Sequence, residues 1–348
     1  MTKKMTNFSM KQSDAFEVSV PLRLDIGGTW DLKSFALPFE SIEPCTVNIA
    51  LDLPTTLKFS GRADDLIHIQ DDYSIVTTRR EEIDFRSPFG LLLAICSHYQ
   101  VGGFDLELTY SVPPRSGLGG SGALSAGLIF GINHMRGRAS APHDIAVRVH
   151  DIEEGLRFSY CGLQDQCAAL YGGVNKWTWH YSGQEKFTRE QLLEPSQYHE
   201  ISDRLLIAYL GRGHGADVNQ RQVDSLYDLH TRRHWFEIND LTHNAAVDIK
   251  EHDWRGLAYC VAEENDIRCD LIPERMADEA DALWLVLDEA EAKFGIAGAG
   301  AGGCVFALID DPVAFSNVAK EWERILADIP KAKLIANPVV AESGVCLI

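Results

Sequence analysis

The chain has 348 residues, of which 45% are hydrophobic and 24% charged, and its 32 Lys and Arg against 51 Asp and Glu give a formal net charge of −19. This composition is typical of folded globular proteins and excludes a largely disordered chain. The length predicts about two domains. The acidic charge argues against a nucleic-acid groove, because phosphate backbones are bound by clustered Lys and Arg. We therefore expect no nucleic-acid partner.

Membrane and secretion signals are not evident. The longest apolar runs, such as residues 91–96, fall far short of the about 20 residues that a helix needs to cross a bilayer. The polar residues 2–12 do not resemble a secretion signal. The eight cysteines form no Cys-x-x-Cys pair, which argues against a zinc ribbon or a disulfide scaffold. We expect a cytoplasmic protein with reduced thiols and no membrane partner, and the sequence leaves the oligomeric state open.

Hydrophobic patterning predicts the order of the elements. Alternating apolar residues predict strands at 16–24, 47–53, 57–59 and 104–111, in an antiparallel or mixed sheet. Apolar residues at helical spacing predict helices that begin near Ser121 and Pro142. The second half is predicted to hold a strand at 205–210, helices up to about residue 294, a strand at 304–309, a helix at 313–327 and closing strands. Because βαβ units do not alternate regularly, the pattern favours an α+β class over a doubly wound nucleotide fold.

The densest motif is Pro-Pro-Arg-Ser-Gly-Leu-Gly-Gly-Ser-Gly-Ala at residues 113–123, between a predicted strand and a predicted helix. Glycines let backbone amides approach a phosphate closely, and a helix that starts there adds free N–H groups and a positive dipole end. A ligand-free glycine turn is the alternative. The motif lacks the Gly-Lys-Ser/Thr of a Walker A loop and the spacing of a Rossmann fingerprint. The candidate nucleotide-binding residues are Pro113, Gly117, Leu118, Gly119, Gly120, Ser121 and Gly122.

This motif resembles the phosphate loop of the GHMP small-molecule kinases, Pro-x-x-x-Gly-Leu-Gly-Ser-Ser-Ala. Gly120 and Gly122 depart from that pattern, so Ser121 alone keeps the hydroxyl expected on the metal side. The resemblance implies a two-domain α+β GHMP fold, with an N-terminal domain like ribosomal protein S5 domain 2 over about residues 14–180. It also implies a ferredoxin-like C-terminal domain over about residues 200–348.

Two further glycine-containing motifs occupy the places that the family implies. Residues 298–304, Gly-Ala-Gly-Ala-Gly-Gly-Cys, resemble the third family motif, which buttresses the nucleotide loop, and Gly300 and Gly302 are its substrate-side candidates. A tight turn between helix and strand is the alternative. Residues 21–31 resemble the first motif, with Arg23 as the basic residue and Asp31 as a substrate contact. The interval from Arg23 to Asp31 is one residue shorter than in the sugar kinases, which argues against an ordinary galactokinase specificity.

The segment 161–175, Cys-Gly-Leu-Gln-Asp-Gln-Cys-Ala-Ala-Leu-Tyr-Gly-Gly-Val-Asn, resembles the active-site stretch of galactokinase and of the bacterial heptose-phosphate kinases. The resemblance makes Asp165 the catalytic carboxylate that accepts the proton of the attacking hydroxyl, with Arg23 as its basic partner. A helix-cap or turn aspartate is the alternative. The family's magnesium-binding glutamate lies about a dozen residues earlier, which selects Glu153 over Glu154, although a solvated acidic face would have the same sequence.

The segment 211–215, Gly-Arg-Gly-His-Gly, follows a predicted strand at the place of a substrate-side loop in the heptose-kinase group. Arg212 and His214 are therefore candidate contacts to a phosphorylated or acidic substrate, with a plain turn as the alternative. His230 and His234, one helical turn apart, are interpreted as a surface pair because no third metal ligand accompanies them.

Together these motifs predict a Mg²⁺-dependent kinase that transfers the γ-phosphate of ATP to a hydroxyl of a sugar or sugar phosphate. A nucleotide- and sugar-binding sensor without catalysis and an ATP-dependent decarboxylase of the diphosphomevalonate type are the alternatives. The sequence does not specify the acceptor.

Overall fold

The computed structural model describes residues 8–139, 141–157, 160–213, 218–288, 292–335 and 338–348. The strands are β1 (Phe8–Ser9), β2 (Ala15–Gly27), β3 (Cys45–Gly61), β4 (Ile67–Gln70), β5 (Ile75–Thr78), β6 (Val101–Gly102), β7 (Phe104–Tyr110), β8 (Val174–Trp179), β9 (Phe187–Gln191), β10 (Leu205–Tyr209), β11 (Lys293–Ile296), β12 (Cys304–Leu308), β13 (Lys333–Ile335) and β14 (Cys346–Leu347). The helices are α1 (Lys33–Ala36), α2 (Gly90–Tyr99), α3 (Gly120–Met135), α4 (Pro142–Leu156), α5 (Gln164–Tyr171), α6 (Tyr198–Ser202), α7 (Val218–Tyr227), α8 (Leu229–Glu251), α9 (Trp254–Leu271), α10 (Asp278–Asp288) and α11 (Pro312–Leu326).

The N-terminal sheet is built around the long antiparallel pair β2 and β3. Its strands lie in the order β14-β2-β3-β7-β4-β5, and β8 and β9 extend it from the first part of β3. The pairing of β4 with β7 is parallel, whereas the other pairs are antiparallel. The mixed sheet predicted from the sequence is therefore confirmed.

Strand β3 differs from the prediction of two separate strands, because it continues through Pro54. The register between β2 and β3 shifts between Val20 and Leu22, opposite this proline. An irregularity of this kind accommodates a proline, which has no N–H to offer to the ladder. The sequence break at Pro54 is thus a bulge within one strand.

The C-terminal sheet has the antiparallel order β11-β12-β10-β13. Numbered along the chain, this is the order 2-3-1-4 of a β-α-β-β-α-β unit, in which helices connect the first and second strands and the third and fourth. The ferredoxin-like arrangement expected for this half is confirmed.

Two apolar cores support these sheets. One core packs against the N-terminal sheet and one face of the C-terminal sheet, and it includes residues of α8 and α9 such as Trp235 and Leu257. The second core packs against the opposite face of the C-terminal sheet, around Trp322 and Phe294. Helix α8 packs on β2 and β3, and α9 packs on β11, so the two helices join the two halves of the protein.

The final segment returns to the N-terminal half. Strand β14 pairs with β2, Val340 bridges Leu51, and the amide of Val345 donates to the carbonyl of Ala169 at 2.8 Å. Residues 340–347 therefore pack on the N-terminal sheet and on helix α5.

Helix α2 is an element that the sequence patterning missed. It is buried on nearly all sides, from Leu92 to Cys96, so its residues show no polar face and no 3.6-residue period.

Among the described helices, none combines the length and the apolar character needed to span a lipid bilayer.

Helix α3 lies against the sheet at unusually close range because two of its glycines face β2 and β3. A Cβ atom at Gly127 would lie 2.6 Å from Val20 Cγ2, and one at Gly131 would lie 2.5 Å from the ring of Phe59. Phe59 is fully buried, so its ring has no room to move. The glycines thereby fix the height of α3 above the sheet, and with it the position of the helix start.

We predict that Gly131→Ala destabilises the protein by about 1–3 kcal/mol, because overpacking against Phe59 outweighs the helix propensity that alanine gains. The matched control is Gly155→Ala on α4, where an added Cβ meets no atom within 4 Å. That variant should be neutral or stabilising by up to about 1 kcal/mol. Urea unfolding of both variants measures the difference, and a Gly131→Ala protein as stable as the wild type would contradict the close packing.

Candidate functional site

A cleft of about 700 Å³ opens between the two halves of the protein. Its walls come from the end of β2, the glycine-rich turn before α3, the ends of α4 and α5, helix α7, helix α9 and the turn after β11. Eight of the residues singled out from the sequence line it: Arg23, Asp31, Gly117, Gly119, Gly120, Ser121, Glu153 and Asp165. The fold thus gathers residues that are up to 142 positions apart in the sequence.

The glycine-rich turn forms one wall. Gly117 and Gly119 have φ angles of +83° and +74°, in the region that favours glycine. Helix α3 begins at Gly120, and Ser121 is exposed in its first turn. The free amides of this helix start and its dipole form a positive end that faces the cleft. Leu118 is buried beneath the turn, and its carbonyl accepts from the amide of Arg23 at 3.0 Å.

Arg23 lies at the floor of the cleft and binds three groups. Its Nε and Nη2 donate to Asp165 Oδ1 at 2.9 and 2.8 Å, and its Nη1 donates to the carbonyl of Gly117 at 2.6 Å. The same Nη1 lies 3.1 Å from Asp25 Oδ2. The guanidinium is buried, and burial opposes its charge, but the carboxylates of Asp165 and Asp25 raise its pKa above the ordinary value. Arg23 is therefore a fixed cation that joins β2, the glycine turn and α5.

Asp165 is the partner of Arg23 that remains accessible, with its side chain 30% exposed. It occupies the first turn of α5, where a carboxylate is stabilised by the helix dipole. The start of α3 lies directly opposite, since a Cβ atom at Gly122 would be 2.5 Å from the Cβ of Asp165. Glycine at position 122 lets the two helix starts converge, and the carboxylate lies beside the phosphate-loop candidate residues.

Two buried carboxyl groups flank the Arg23–Asp165 pair. Asp31 accepts from the amide of Gln164 at 3.2 Å, and Asp25 accepts from Gln164 Nε2 at 3.1 Å. Burial raises the pKa of Asp31 from 3.8 to about 7, and the nearby charge of Asp165 adds to this shift. Burial also raises the pKa of Asp25 to about 7, although the guanidinium of Arg23 opposes it. The cleft floor therefore holds several carboxyl groups around one buried cation.

The second glycine-rich turn, residues 298–303, interlocks with the first. The amide of Cys304 donates to the carbonyl of Ser116 at 2.7 Å. A Cβ at Gly298 would be 2.8 Å from the carbonyl oxygen of Gly117, and one at Gly303 would be 2.6 Å from that of Ser116. Only glycines permit this contact, because a Cβ atom would collide with the backbone of the other turn. The second glycine-rich turn therefore supports the first.

The substrate-side candidates on this second turn lie away from the cleft wall. A Cβ at Gly300 would meet the carbonyl of Arg275 at 2.9 Å, and one at Gly302 would meet that of Gly213 at 2.8 Å. Gly298 and Ala299 line the cleft instead. Gly300 and Gly302 thus support the turn in this structure.

A buried ion pair on α9 connects the turn after β2 with the second glycine-rich turn, and the sequence reasoning missed it. Both carboxylate oxygens of Glu264 lie within 3.2 Å of the amide of Gly28, and Arg268 Nη1 lies 3.3 Å from Glu264 Oε1. Arg268 Nη2 and Arg275 Nη1 donate to the carbonyl of Gly298 at 3.2 and 3.0 Å. An acidic and a basic residue four apart on a helix are ordinary on an exposed face, so spacing alone gave no signal.

Oxygen ligands for a divalent cation are present in the cleft. The hydroxyl of Ser121 and the buried carboxylate of Glu153 both line it. Such hard oxygens suit Mg²⁺, which in phosphate complexes needs one or two protein ligands. The described residues contain no group of three or more His, Cys, Asp or Glu that would form an all-protein metal site. Glu154 is partly exposed and pairs with Lys33 at 3.2 Å.

A second, mostly apolar cavity of about 540 Å³ adjoins the cleft at the glycine-rich turn. The two cavities share Ser116, Gly120 and Ser121. Pro113, Leu92 and the fully buried Ser125 line the apolar part, and Tyr73 on the β4–β5 hairpin lines its exposed edge. The turn therefore separates the cleft, whose lining is about equally polar and apolar, from a mostly apolar cavity.

The remaining sequence candidates lie elsewhere. His214 lies outside the described residues. The side chain of Arg212 pairs with Glu279 at 2.9 Å. His230 is exposed, and His234 lies 3.1 Å from Glu237 on the surface of α8, which agrees with their interpretation as surface residues.

The raised pKa of Asp31 predicts a stability change with pH. Between about pH 4 and pH 7 the folded protein retains a proton that the unfolded chain has released, so this group lowers the unfolding free energy as pH rises, by up to about 1.4 kcal/mol per pH unit. Asp31→Asn removes this contribution. Between about pH 4.5 and pH 7.5 the unfolding free energy of the variant should therefore fall by about 1–3 kcal/mol less than that of the wild type.

Urea unfolding at the two pH values measures this difference, with Asp52→Asn, an exposed residue of β3, as the matched control. Parallel pH profiles for the wild type and Asp31→Asn would contradict the buried, protonated carboxyl.

Two protein-family models match this chain. The N-terminal domain model of the GHMP kinases matches residues 87–173, and the C-terminal domain model of the same family matches residues 245–328. No curated protein sequence matches the chain.

Solved structures share the fold over nearly the whole chain. A galactokinase from Lactococcus lactis, solved with galactose, superposes with a TM-score of 0.78 at 13% identity, covering 97% of this chain and 96% of that chain. A D-glycero-D-manno-heptose 1-phosphate kinase from Bacteriodes thetaiotaomicron gives a TM-score of 0.74 at 13% identity, with 96% and 99% covered. A candidate sugar kinase from Campylobacter jejuni gives 0.73 at 19% identity, with 98% and 99% covered. Because both domain models match in chain order on this fold, the chain belongs to the GHMP kinase family.

Proposed function

We propose that this protein is an ATP-dependent kinase that transfers the γ-phosphoryl group to a hydroxyl of a sugar or sugar phosphate. The observation that carries the proposal is the Arg23–Asp165 pair, which lies beneath a glycine-rich helix start and lines the cleft between the two halves. GHMP kinases use ATP, and the relatives described above include a galactokinase and a heptose 1-phosphate kinase. Both of those enzymes are named for carbohydrate acceptors.

The nucleotide side of the proposal rests on the two adjoining cavities. The apolar cavity has the size and lining for a nucleoside, and the start of α3 offers free amides to the phosphates. The net charge of the protein is negative and repels the phosphates of ATP. The positive start of α3 is therefore important, because it attracts the phosphates locally. The candidate phosphate-binding residues are Pro113, Gly117, Leu118, Gly119, Gly120, Ser121 and Gly122.

The acceptor side rests on Asp165. A carboxylate in the cleft can orient the attacking hydroxyl and accept its proton as the new O–P bond forms and the bond to the ADP leaving group breaks. Arg23 holds that carboxylate by two hydrogen bonds and fixes its position at the cleft. Asp31, close to Asp165 and buried at the cleft floor, is a candidate contact to another acceptor hydroxyl.

Mg²⁺ fits the oxygen ligands of the cleft, and Ser121 and Glu153 are the residues that would hold it. Bound there, the ion would neutralise charge on the transferring phosphoryl group.

We predict that Asp165→Asn lowers turnover by about 10²–10⁴-fold while ATP still binds, because an amide cannot accept the hydroxyl proton. The assay measures ADP release with Mg·ATP against free hexoses and heptoses, their phosphates, mevalonate and homoserine. The matched control is Asp151→Asn, which removes an exposed carboxylate of α4.

A full rate in Asp165→Asn would overturn the assignment of Asp165. Binding of ATP to the wild type without turnover of any acceptor would instead favour the sensor. Release of both ADP and phosphate with diphosphomevalonate, assayed beside this panel, would favour the decarboxylase.

A further inference from the structure

Arg115 lies where the cleft and the apolar cavity meet. It lines both of them, together with Ser116, Gly120 and Ser121 of the glycine-rich turn. The other arginines that line the cleft do not line the apolar cavity: Arg23, Arg86, Arg157 and Arg268. A molecule that occupies both cavities therefore passes beside Arg115.

The guanidinium of Arg115 has no counter-charge from the protein. The residue is exposed, and none of the described residues forms a hydrogen bond or an ion pair with its side chain. Three of the other cleft arginines are paired with carboxylates: Arg23 with Asp165, Arg86 with Asp84 and Arg268 with Glu264. In a chain of net charge −19, an arginine that lines a cleft without a carboxylate partner is free to bind an anion.

The backbone of Arg115 adopts a conformation that side chains disfavour. Its φ angle is +64°, and it follows Pro114 in the turn that leads into the glycine-rich segment. A residue after proline with a positive φ angle in such a turn is usually glycine or asparagine. Strained residues of this kind cluster at binding sites. The conformation therefore agrees with a role for this side chain in binding a ligand.

The C-terminal half limits the direction of the Arg115 side chain. A Cβ atom at Gly213 would lie 2.8 Å from the Cβ of Arg115 and 3.4 Å from its Cδ. The aliphatic stem of Arg115 thus packs beside the backbone of Gly213, and only a glycine leaves room for it. The side chain is positioned by both halves of the protein.

Phosphate is the anion that fits this position. The proposed nucleotide places its base in the apolar cavity and its reacting end near Asp165, so its phosphates lie at the junction between them. The amides at the start of α3 are neutral donors, whereas a guanidinium adds a full charge and a planar set of N–H donors that match phosphate oxygens. The family pattern Pro-x-x-x-Gly leaves position 115 unspecified, so the resemblance assigns no role to this side chain.

We propose that the Arg115 side chain binds the phosphate chain of the nucleotide at the junction of the two cavities. Phosphate binding in this chain then depends on a side-chain cation as well as on the amides of the turn. This inference rests on the proposed kinase function and adds a residue to its nucleotide site. A phosphate group on the acceptor could use the same guanidinium, and the experiment distinguishes the two ligands.

The test substitutes Arg115→Gly, which removes the guanidinium and suits the left-handed backbone. The matched control is Lys331→Gly, because Lys331 is an exposed cation with a φ angle of +65° and lines neither cavity. Calorimetric titration uses Mg²⁺ with AMPPNP, an ATP analogue that resists hydrolysis. The Kd for AMPPNP should rise about tenfold or more in Arg115→Gly and stay within about twofold of the wild-type value in Lys331→Gly.

Two further measurements separate phosphate binding from a structural role. Adenosine, which has no phosphate, should bind Arg115→Gly as it binds the wild type. The thermal unfolding midpoint of Arg115→Gly should not fall, because glycine adopts the left-handed backbone without strain. If the midpoint does fall, Arg115→Gln provides the same comparison with the stem retained. Loss of adenosine affinity in parallel with AMPPNP affinity would overturn the inference, since it would show a disrupted turn.

The remaining outcomes distinguish this inference from the kinase proposal. Unchanged AMPPNP affinity in Arg115→Gly would overturn the inference and leave the kinase function in place. If only the KM for a phosphorylated acceptor rises, such as a hexose 6-phosphate, Arg115 binds the acceptor and the inference is overturned. AMPPNP binding that depends on Arg115, without turnover of any acceptor, would support the inference and contradict the kinase. No AMPPNP binding to the wild type would overturn both.

Discussion

One buried guanidinium organises the site. Arg23 binds Asp165, Asp25 and the carbonyl of Gly117 at the same time, so it connects a central strand, a helix start and the glycine-rich turn. A buried cation of this kind is stable only while its partners stay in place, because removal of one partner leaves an uncompensated charge. The position of Asp165 and the shape of the turn are therefore coupled.

The cleft depends equally on the docking of the two halves. Glu264 and Arg268 reach from α9 to Gly28 on one side and to Gly298 on the other, through buried hydrogen bonds. The second glycine-rich turn in turn contacts the first at Ser116 and Gly117. A change in the packing of α9 would thus move both turns together.

The sequence predicted what is local. The strand before the glycine-rich turn and the helix after it follow from residue periodicity. Arg23 and Asp165 were selected by resemblance to the family, and in the structure Arg23 Nε lies 2.9 Å from Asp165 Oδ1. The sequence did not predict the buried contacts of Glu264, because an acidic residue on a helix has the same sequence pattern whether it faces water or the protein interior. Gly28 and Glu264 are 236 positions apart, and their contact depends on how the two halves dock. Helix α2 was missed because full burial removes the amphipathic period.

The return of residues 340–347 to the N-terminal half has a consequence for biosynthesis. Strand β14 completes the edge of the first sheet, and Val345 and Gly344 pack on α5, the helix that carries Asp165. During translation, the N-terminal half leaves the ribosome long before these residues are made, so its sheet waits with an unpaired edge at β2. The helix that bears the catalytic candidate reaches its final packing only after the C-terminal half has been synthesised. Assembly of the site is therefore a late, whole-chain event, and nascent chains that stop short of β14 expose a strand edge to their neighbours.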